Sequence, residues 1–250
     1  MNELPAEASS SFEIRVLPDP QEAAVAAAHE VAHVARDAVA NRGIFRIALS
    51  GGSTPRLLFD ALTRPPFKEG IAWSQARFFF VDERCVPPDH ERSNYRMARE
   101  HVFEPLGIPP DRVARMRGEE EPETAARGYE DAIAAEFGEA GVTARFDFVL
   151  LGLGADGHTA SLFPGTTALL EERRAVVANH VPKLGEWRLT LTLPVLNAAR
   201  HAVFLVTGAE KSEMVAAVTK RRTPELPASR VHLDGGSLIW IVDEAAAGRV

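Results

Sequence analysis

The chain alternates near-continuous apolar runs with amphipathic helical patterns, and this alternation restricts its possible folds more than any other feature. Runs such as FDFVLL at 146–151 and HAVFLV at 201–206 are typical of parallel strands that are buried on both faces. We predict strands near residues 13–17, 45–50, 77–82, 146–151, 201–207 and 237–242. We predict helices near residues 20–41, 55–64, 94–106, 123–137, 194–199, 209–220 and 243–247. The pattern indicates a doubly wound, mainly parallel α/β sheet with helices on both faces.

Three glycine-bearing loops follow predicted strands: SGGSTP at 50–55, LGLGADGH at 151–158 and TGAEK at 207–211. In doubly wound sheets, ligands bind at the carboxyl ends of the strands. We therefore expect the three loops to converge on one site.

The size and charge of the chain limit its class. Its 250 residues are 46% hydrophobic and 25% charged, which is ordinary for a globular protein, and we predict a single domain over 1–250 with a flexible tail at 1–11. No run of 18 apolar residues and no basic-then-apolar leader is present, so we expect neither a membrane span nor a signal peptide. The lone cysteine, Cys85, fits a reducing cytoplasm. The net charge of −7 argues against a broad nucleic-acid or anionic-membrane surface, so we expect neither partner. We expect a small-molecule ligand and a monomer or small homo-oligomer.

The segment HEVAH at 29–33 matches the H-E-x-x-H helix of zinc proteases. On a helical wheel of residues 22–40, one arc is apolar and holds Val25, Val31, Val34, Ala35, Ala38 and Val39. His29, Glu30 and His33 lie on the opposite arc, which we interpret as the solvated face of an amphipathic helix. Because no third ligand is apparent nearby, we predict no metal site.

The loop SGGSTP has two interpretations. As a tight βα connection, it needs only Thr54 as the helix cap and Pro55 in the first turn. The free N–H groups at the same helix start would also bind an anion. Gly51, Gly52 and Ser53 are therefore candidate anion-binding residues, although the G-K-[ST] of a nucleotide-binding loop is absent.

The charged triplet Asp82, Glu83 and Arg84 follows a very apolar strand. In the simplest interpretation it solvates the end of the strand. At the carboxyl edge of a parallel sheet, however, Arg84 could hold an anionic oxygen of a ligand. We interpret Cys85 as a small loop residue, because no helix N-terminus or adjacent histidine is evident to generate its thiolate.

The loop LGLGADGH satisfies the dinucleotide pattern G-x-G-x-x-G, and its glycines are Gly152, Gly154 and Gly157. That fingerprint needs a helix of normal length after the loop and an acidic residue at the end of the next strand. The Pro-Gly pair at 164–165 would end such a helix too early. The next strand-like run, AVVANHV, ends without a carboxylate. The glycines instead favour a close approach to a small ligand, with Asp156 and His158 as an acid–base pair suited to neutral pH. An Asp-Gly turn with a packed histidine is the alternative.

Two single cations complete the candidate set. Arg188 stands at the start of WRLTLTL, and Lys211 stands at the head of the helix after FLVTG. Either is a surface charge in the simplest interpretation. At the carboxyl end of a strand, however, Lys211 is well placed for a phosphate that also meets Arg188.

Taken together, these segments resemble the glucosamine-6-phosphate isomerase/6-phosphogluconolactonase family. The likeness rests on LSGGSTP, FFFVDERCVP with SNYRM, LGLGADGHTASLFPG, RLTLTLPVLNAARHAVFLVTGAEK and LPASRV, and it runs from about residue 12 to residue 245. It implies a Rossmann-like fold and hydrolysis of 6-phospho-D-glucono-1,5-lactone, a step of the pentose phosphate pathway, without a cofactor. By the resemblance, His158 is the general base with Asp156 beside it, and Gly51, Gly52 and Ser53 form the turn beside the substrate. The implied sugar-phosphate-binding cations are Arg84, Arg188 and Lys211.

One position separates the related activities. The deaminases of the family carry a glutamate shortly after D-G-H, where this chain has Phe163. Lactone hydrolysis needs an activated water and an acceptor for developing negative charge, whereas deamination needs help with ring opening, so Phe163 favours hydrolysis. A sugar-phosphate isomerase or deaminase and a non-catalytic sugar-phosphate sensor are the rivals, and the lack of a helix-turn-helix segment or basic patch disfavours the sensor. Cys85 departs from the bulkier residue that the family pattern places after D-E-R.

Overall fold

The structure is a computed structural model that describes residues 12–138, 143–221, 223 and 225–248. Its strands are β1 (Glu13–Leu17), β2 (Phe45–Leu49), β3 (Ala76–Phe80), β4 (Asp82–Arg84), β5 (Phe148–Leu151), β6 (Val176–Val181), β7 (Glu186–Leu191), β8 (His201–Val206) and β9 (Ser237–Asp243). Its α-helices are α1 (Pro20–Arg42), α2 (Ser53–Leu62), α3 (Phe67–Gly70), α4 (Asn94–Ala98), α5 (Glu104–Leu106), α6 (Pro122–Phe137), α7 (Leu193–Asn197), α8 (Ser212–Thr219) and α9 (Glu244–Ala247). The predicted tail at 1–11 lies outside the described residues.

In the described residues, six strands form a parallel sheet in the order β1-β9-β8-β5-β2-β3. This confirms the predicted mainly parallel α/β sheet. The chain crosses from β1 to β2, moves outward to β3, and then returns past β2 to β5, β8 and β9. The direction of winding therefore reverses between β2 and β5, and the loops after these strands diverge there to leave a crevice.

Alternate residues of the central strands enter two apolar layers. In β5, Phe148 and Leu150 join the layer that contains α1 and α2, whereas Val149 and Leu151 join the layer that contains α6 and α8. Burial on both faces explains why these strands are apolar along their whole length, and it confirms the doubly wound arrangement. No helix in the described part of the chain is long and apolar enough to cross a membrane.

The predicted strand at 77–82 is wrong in one respect, because the chain changes sheets at Val81. The N–H of Val81 donates to the carbonyl of Leu49 (2.9 Å), and the carbonyl of Val81 accepts from the N–H of Leu191 (2.8 Å). The residues before Val81 thus form β3 of the parallel sheet. Those after it form β4 of a three-stranded antiparallel sheet with the order β4-β7-β6.

Neither β6 nor β7 is among the six predicted strands, although β6 lies within the strand-like run AVVANHV. They pair as an antiparallel hairpin, and β4 pairs with the other edge of β7. Both strands carry polar and exposed residues near the hairpin tip, including His180 and Trp187. A criterion of near-continuous apolar runs therefore overlooks them.

The predicted helices are found with shifted ends. Residues 94–106 are helical, but a π-helical turn at Arg99–Phe103 separates α4 from α5. The predicted helix at 209–220 begins with a 3₁₀ turn, Ala209–Lys211, before α8.

The solvated face assigned to α1 is partly wrong. Val25 is 38% exposed, although the helical wheel places it on the apolar arc. The carboxylate of Glu30 is mostly buried in an ion pair with Arg15, and its other oxygen lies 3.2 Å from Nε2 of His201. Because α1 packs against β1 and β8, Glu30 faces Arg15 and His201 of these strands rather than solvent. His33 is exposed, as predicted.

Candidate functional site

A cavity of about 450 Å³ opens at the carboxyl ends of β2, β5 and β8, where the three glycine-bearing loops meet. All of the site residues that the sequence indicates line it: Gly51, Gly52, Ser53, Arg84, Asp156, His158, Arg188 and Lys211. The small antiparallel sheet supplies another part of the wall through β4 and β7.

The loop after β2 brings backbone N–H groups to the cavity. Gly52, with φ 119°, is the N-cap of the ten-residue helix α2, and no side chain of the described residues accepts a hydrogen bond at this cap. The predicted capping by Thr54 is therefore wrong; its hydroxyl lies 3.0 Å from that of Thr207 and links two of the loops. A Cβ on Gly51 would lie 1.7 Å from Oδ1 of Asn94, so glycine is required there. The N-terminus of α2 is thus open to an anion.

The loop after β5 holds His158 against Asp156. Nδ1 of His158 lies 2.5 Å from Oδ1 of Asp156. A Cβ on Gly154 would lie 2.0 Å from the imidazole, so the ring occupies space that only glycine leaves free. Gly157 turns the chain with φ 78°, and residues 158–166 form turns rather than the helix that a dinucleotide fingerprint needs. Because the carboxylate engages Nδ1, Nε2 remains for proton transfer to a ligand.

Asp156 is a stable negative charge in this loop. Burial by itself raises the pKa of Asp156, but hydrogen bonds from His158 and Lys183 outweigh it and hold the pKa at about 2. Nζ of Lys183 lies 3.1 Å from Oδ2 of Asp156. At neutral pH the imidazole therefore faces a carboxylate, which favours the tautomer with the proton on Nδ1.

Phe163 covers one face of the catalytic candidate His158. The two rings stack with centroids 4.1 Å apart and planes 23° apart, and Phe163 is 7% exposed. An apolar ring therefore occupies the position at which the resemblance implies a glutamate in the deaminases.

Arg84 and Arg188 reach the cavity side by side from the small sheet. They are directly opposite each other in the antiparallel β4–β7 pair. Burial lowers the pKa of Arg188, and repulsion from Arg84 lowers it further. One oxygen of Glu186 lies 3.0 Å from Arg188, while the guanidinium of Arg84 donates to the carbonyl of Arg92. Two like charges held this close are a favourable site for an anion, which relieves their repulsion.

Side chains alternate along β4, so the three residues of the D-E-R triplet lie on two different faces of the strand. Asp82 and Arg84 line the cavity, whereas Glu83 is 2% exposed and lies outside its lining. Glu83 accepts hydrogen bonds from the N–H groups of Asn94 (2.8 Å) and Tyr95 (2.9 Å) and so anchors the start of α4. Burial raises the pKa of Glu83. The simplest interpretation of the triplet, a solvated strand end, is wrong because both carboxylates are buried.

Lys211 enters the cavity from the loop after β8. It ends the 3₁₀ turn Ala209–Lys211, which follows Gly208 with φ 101°. Both oxygens of Asp243 lie 3.1 Å from the N–H of Gly208 and fix this loop. In the described residues, no carboxylate lies within ion-pair distance of the Lys211 ammonium, so its charge is available to a ligand.

Lys183 and Leu184 line the cavity but are absent from the predicted site. They lie at the tip of the β6–β7 hairpin, which the predicted set of strands lacks. The signal for this hairpin is present, because the runs VVANHV and EWRLTL flank a short segment containing proline and glycine.

The described residues give little support to a metal site or to a reactive cysteine. Within the described ranges, no group of three or more His, Cys, Asp or Glu side chains could hold a metal ion. The ring of His29 packs on Phe67 at 4.8 Å, and Nε2 of His33 lies 3.4 Å from Asp37 at the surface. Burial raises the pKa of Cys85 to about 11, so its thiol stays protonated at neutral pH, as expected of a loop residue.

Comparison with known proteins identifies the family. Residues 18–240 match the family model described as glucosamine-6-phosphate isomerases/6-phosphogluconolactonase. The chain belongs to this family. It is 42% identical to a 6-phosphogluconolactonase of Synechocystis sp., over 84% of this chain and 86% of the relative, and 39% identical to that of Rattus norvegicus, over 94% and 92%. The solved 6-phosphogluconolactonase from Trypanosoma cruzi matches with a TM-score of 0.84 at 33% identity, covering 97% of this chain and 98% of that one.

Proposed function

We propose that this chain hydrolyses 6-phospho-D-glucono-1,5-lactone to 6-phospho-D-gluconate in the oxidative pentose phosphate pathway. The observation that carries the proposal is that His158, paired with Asp156, shares a cavity with Arg84, Arg188 and Lys211. The base suits attack of water on an ester carbonyl, and the cations suit a phosphate. The relatives named 6-phosphogluconolactonase support the same activity.

His158 is the general base of the proposed reaction. Its Nδ1–H donates to Asp156, and Nε2 takes a proton from a water whose oxygen attacks the lactone carbonyl carbon. Asp156 stabilises the imidazolium that results. The imidazolium then gives its proton to the ring oxygen as the carbon–oxygen bond of the ring breaks, and the new carboxylic acid loses its proton to solvent.

The remaining site residues bind charge. Lys211, Arg188 and the turn Gly51–Ser53 hold the phosphate and so fix the sugar ring. Arg84 and backbone N–H groups are the candidates for the donors that stabilise the tetrahedral oxyanion. No step of this reaction needs a cofactor or a metal.

Phe163 argues against the isomerase and deaminase rivals. Its stacked ring supplies no group that could open a sugar ring or shuttle a proton. It instead shields one face of His158 from water, which suits a base that acts on a single bound water.

The direct test compares the rate of lactone opening with and without the protein at neutral pH, because the lactone also opens spontaneously. We expect a large acceleration, and we expect 6-phosphogluconate, but neither NAD nor NADP, to raise the melting temperature. Equal rates with and without the protein, or stabilisation by a dinucleotide alone, would contradict the proposal.

A further inference from the structure

The tip of the β6–β7 hairpin holds Lys183 beside the loop that carries His158. The N–H groups of Leu184 and Gly185 both donate to the carbonyl of Val181 at 3.0 Å and close the tip. Pro182 restricts the backbone on one side of Lys183, and Gly185 turns the chain with φ 63° on the other. The side chain of Lys183 therefore projects from a well-defined turn.

The two oxygens of Asp156 have different partners. Oδ1 lies 2.5 Å from Nδ1 of His158 and accepts from the backbone N–H of His158 at 3.3 Å. Oδ2 accepts from Nζ of Lys183 at 3.1 Å and, among the described residues, from no other donor. The carboxylate thus bridges an imidazole and an ammonium, and its orientation depends on both.

We propose that Lys183 is a positioning residue for the pair Asp156–His158: it fixes the carboxylate through Oδ2 and opposes protonation of the imidazole with its charge. This inference rests on the proposed function of His158 as a base. Without the ammonium, the carboxylate would stabilise the imidazolium more strongly, and a larger share of His158 would be protonated at a given pH. A protonated His158 cannot accept the proton of the attacking water.

The pair Lys183–Asp156 differs from an ordinary surface ion pair in what the carboxylate touches. The side chain of Lys183 is 70% exposed, and exposed ion pairs contribute little to folding stability. Asp156, however, is 24% exposed and hydrogen-bonded to the reacting ring. A loss of Lys183 should therefore change the reaction and its pH dependence more than the stability of the fold.

Other charged residues line the cavity that holds His158, and the test leaves them unchanged. They are Asp82, Arg84 and Arg188 from the small sheet and Lys211 from the loop after β8. Each lies on an element other than the hairpin tip, so substitution of Lys183 leaves them in place.

The test compares Lys183→Met, Lys183→Arg and the control Lys68→Met, which removes an exposed lysine on α3. For Lys183→Met we expect kcat to fall about threefold to tenfold at neutral pH, with KM changed less than about twofold. The acid limb of the rate profile should move to higher pH by about 0.3–1 unit, as expected for one charge removed a few ångströms away in a partly solvated site. Lys183→Arg should restore both properties, and Lys68→Met should match the wild type.

A second measurement does not depend on lactonase activity. The ring-proton NMR signal of His158, followed without substrate, should titrate at higher pH in Lys183→Met than in the wild type. If the wild type does not hydrolyse the lactone, the proposed function fails and this titration still tests the positioning.

Three results would overturn the inference. If Lys183→Met keeps the kcat and the pH dependence of the wild type, the pair Lys183–Asp156 is an ordinary surface ion pair. A higher KM for the phosphorylated lactone with an unmoved acid limb would show a substrate contact instead. Equal impairment of Lys183→Arg and Lys183→Met would show that charge is not the cause.

Discussion

The two sheets contribute different parts of the site. The parallel sheet contributes tight loops: the open helix start after β2, the His158–Asp156 pair after β5 and the turn with Lys211 after β8. The antiparallel sheet contributes charged side chains, with Arg84 and Arg188 on β4 and β7 and Lys183 at the hairpin tip. Glycines bring the backbone to the cavity in the first region, while strand alternation brings Arg84 and Arg188 to the cavity in the second.

In the proposed reaction, the two regions therefore have partly different roles. The base depends on the local packing of one loop, in which Gly154 leaves room for the imidazole and Phe163 stacks on it. Arg84 and Arg188 depend on a second sheet, which is joined to the first through Val81. Substitutions in the two regions should therefore have different kinetic signatures.

The largest effect is expected from loss of the base in the parallel-sheet region. His158→Ala should lower kcat/KM for the lactone by about 10²–10⁴, the usual contribution of general base catalysis, while the fold is retained. His180→Ala, at an exposed histidine of the small sheet, is the matched control and should keep wild-type activity. Near-normal turnover by a folded His158→Ala protein would refute the role of His158.

Two neighbouring glycines test the packing of the same loop. A Cβ at 154 would meet the imidazole at 2.0 Å, whereas no described atom lies within 4 Å of a Cβ built at 152. Because a displacement of about 1 Å can cost about 10² in rate, Gly154→Ala should lower kcat by up to that factor. Gly152→Ala should have little effect on kcat. Equal kinetics of the two variants would mean that the ring position does not limit the reaction.

Loss of a cation of the small sheet should have a smaller effect on kcat/KM. Charge-assisted hydrogen bonds contribute about 1.5–3 kcal/mol, so Arg188→Ala should lower kcat/KM for the phosphorylated lactone by about 10–10². Arg36→Ala, which removes an arginine that is 74% exposed, is the control. A loss confined to thermal stability, with unchanged kcat/KM, would make Arg188 a structural residue.

The smallest expected effect concerns stability at low pH. The pKa of Asp156 is lowered from 3.8 to about 2 in the folded protein, so its contribution to stability is complete above the unfolded value and is lost as pH falls toward 2. Urea unfolding should show that Asp156→Asn costs about 1–2 kcal/mol at pH 7 and about half as much at pH 3. Asp89→Asn, at an exposed carboxylate, should show neither cost. A pH-independent difference for Asp156→Asn would contradict the ionised state that we assign.

Much of the parallel-sheet region follows from sequence pattern. Strands buried on both faces are apolar throughout, so β5 and β8 stand out, and their positions imply that the loops after them share one edge. Gly154 and Gly157 indicate tight turns of the backbone. Pro164 follows this loop too closely for the helix that a dinucleotide fingerprint needs. The positions of Arg84, Arg188 and Lys211 near strand ends make them candidates for anion binding, and the family resemblance implies that they bind a sugar phosphate.

The antiparallel region could not be predicted in the same way. The sheet change occurs inside one apolar run, and both hydrogen bonds that define it at Val81 come from residues distant in sequence. Strands β6 and β7 carry mixed polarity because their hairpin end is exposed. Because the hairpin is not among the predicted strands, the sequence does not place Lys183 next to Asp156. The buried position of Glu30 cannot be predicted for the same reason, since Arg15 and His201 lie on other elements.

The central claim is that His158 acts on a substrate whose phosphate is held by Lys211 of the parallel-sheet region together with Arg188 of the antiparallel sheet. The most direct measurement is the wild-type kcat/KM for 6-phospho-D-glucono-1,5-lactone against that for unphosphorylated glucono-1,5-lactone. Loss of two charge-assisted contacts, about 3–6 kcal/mol, predicts a ratio of about 10²–10⁴ in favour of the phosphorylated substrate. Equal kcat/KM values for the two lactones would contradict the account.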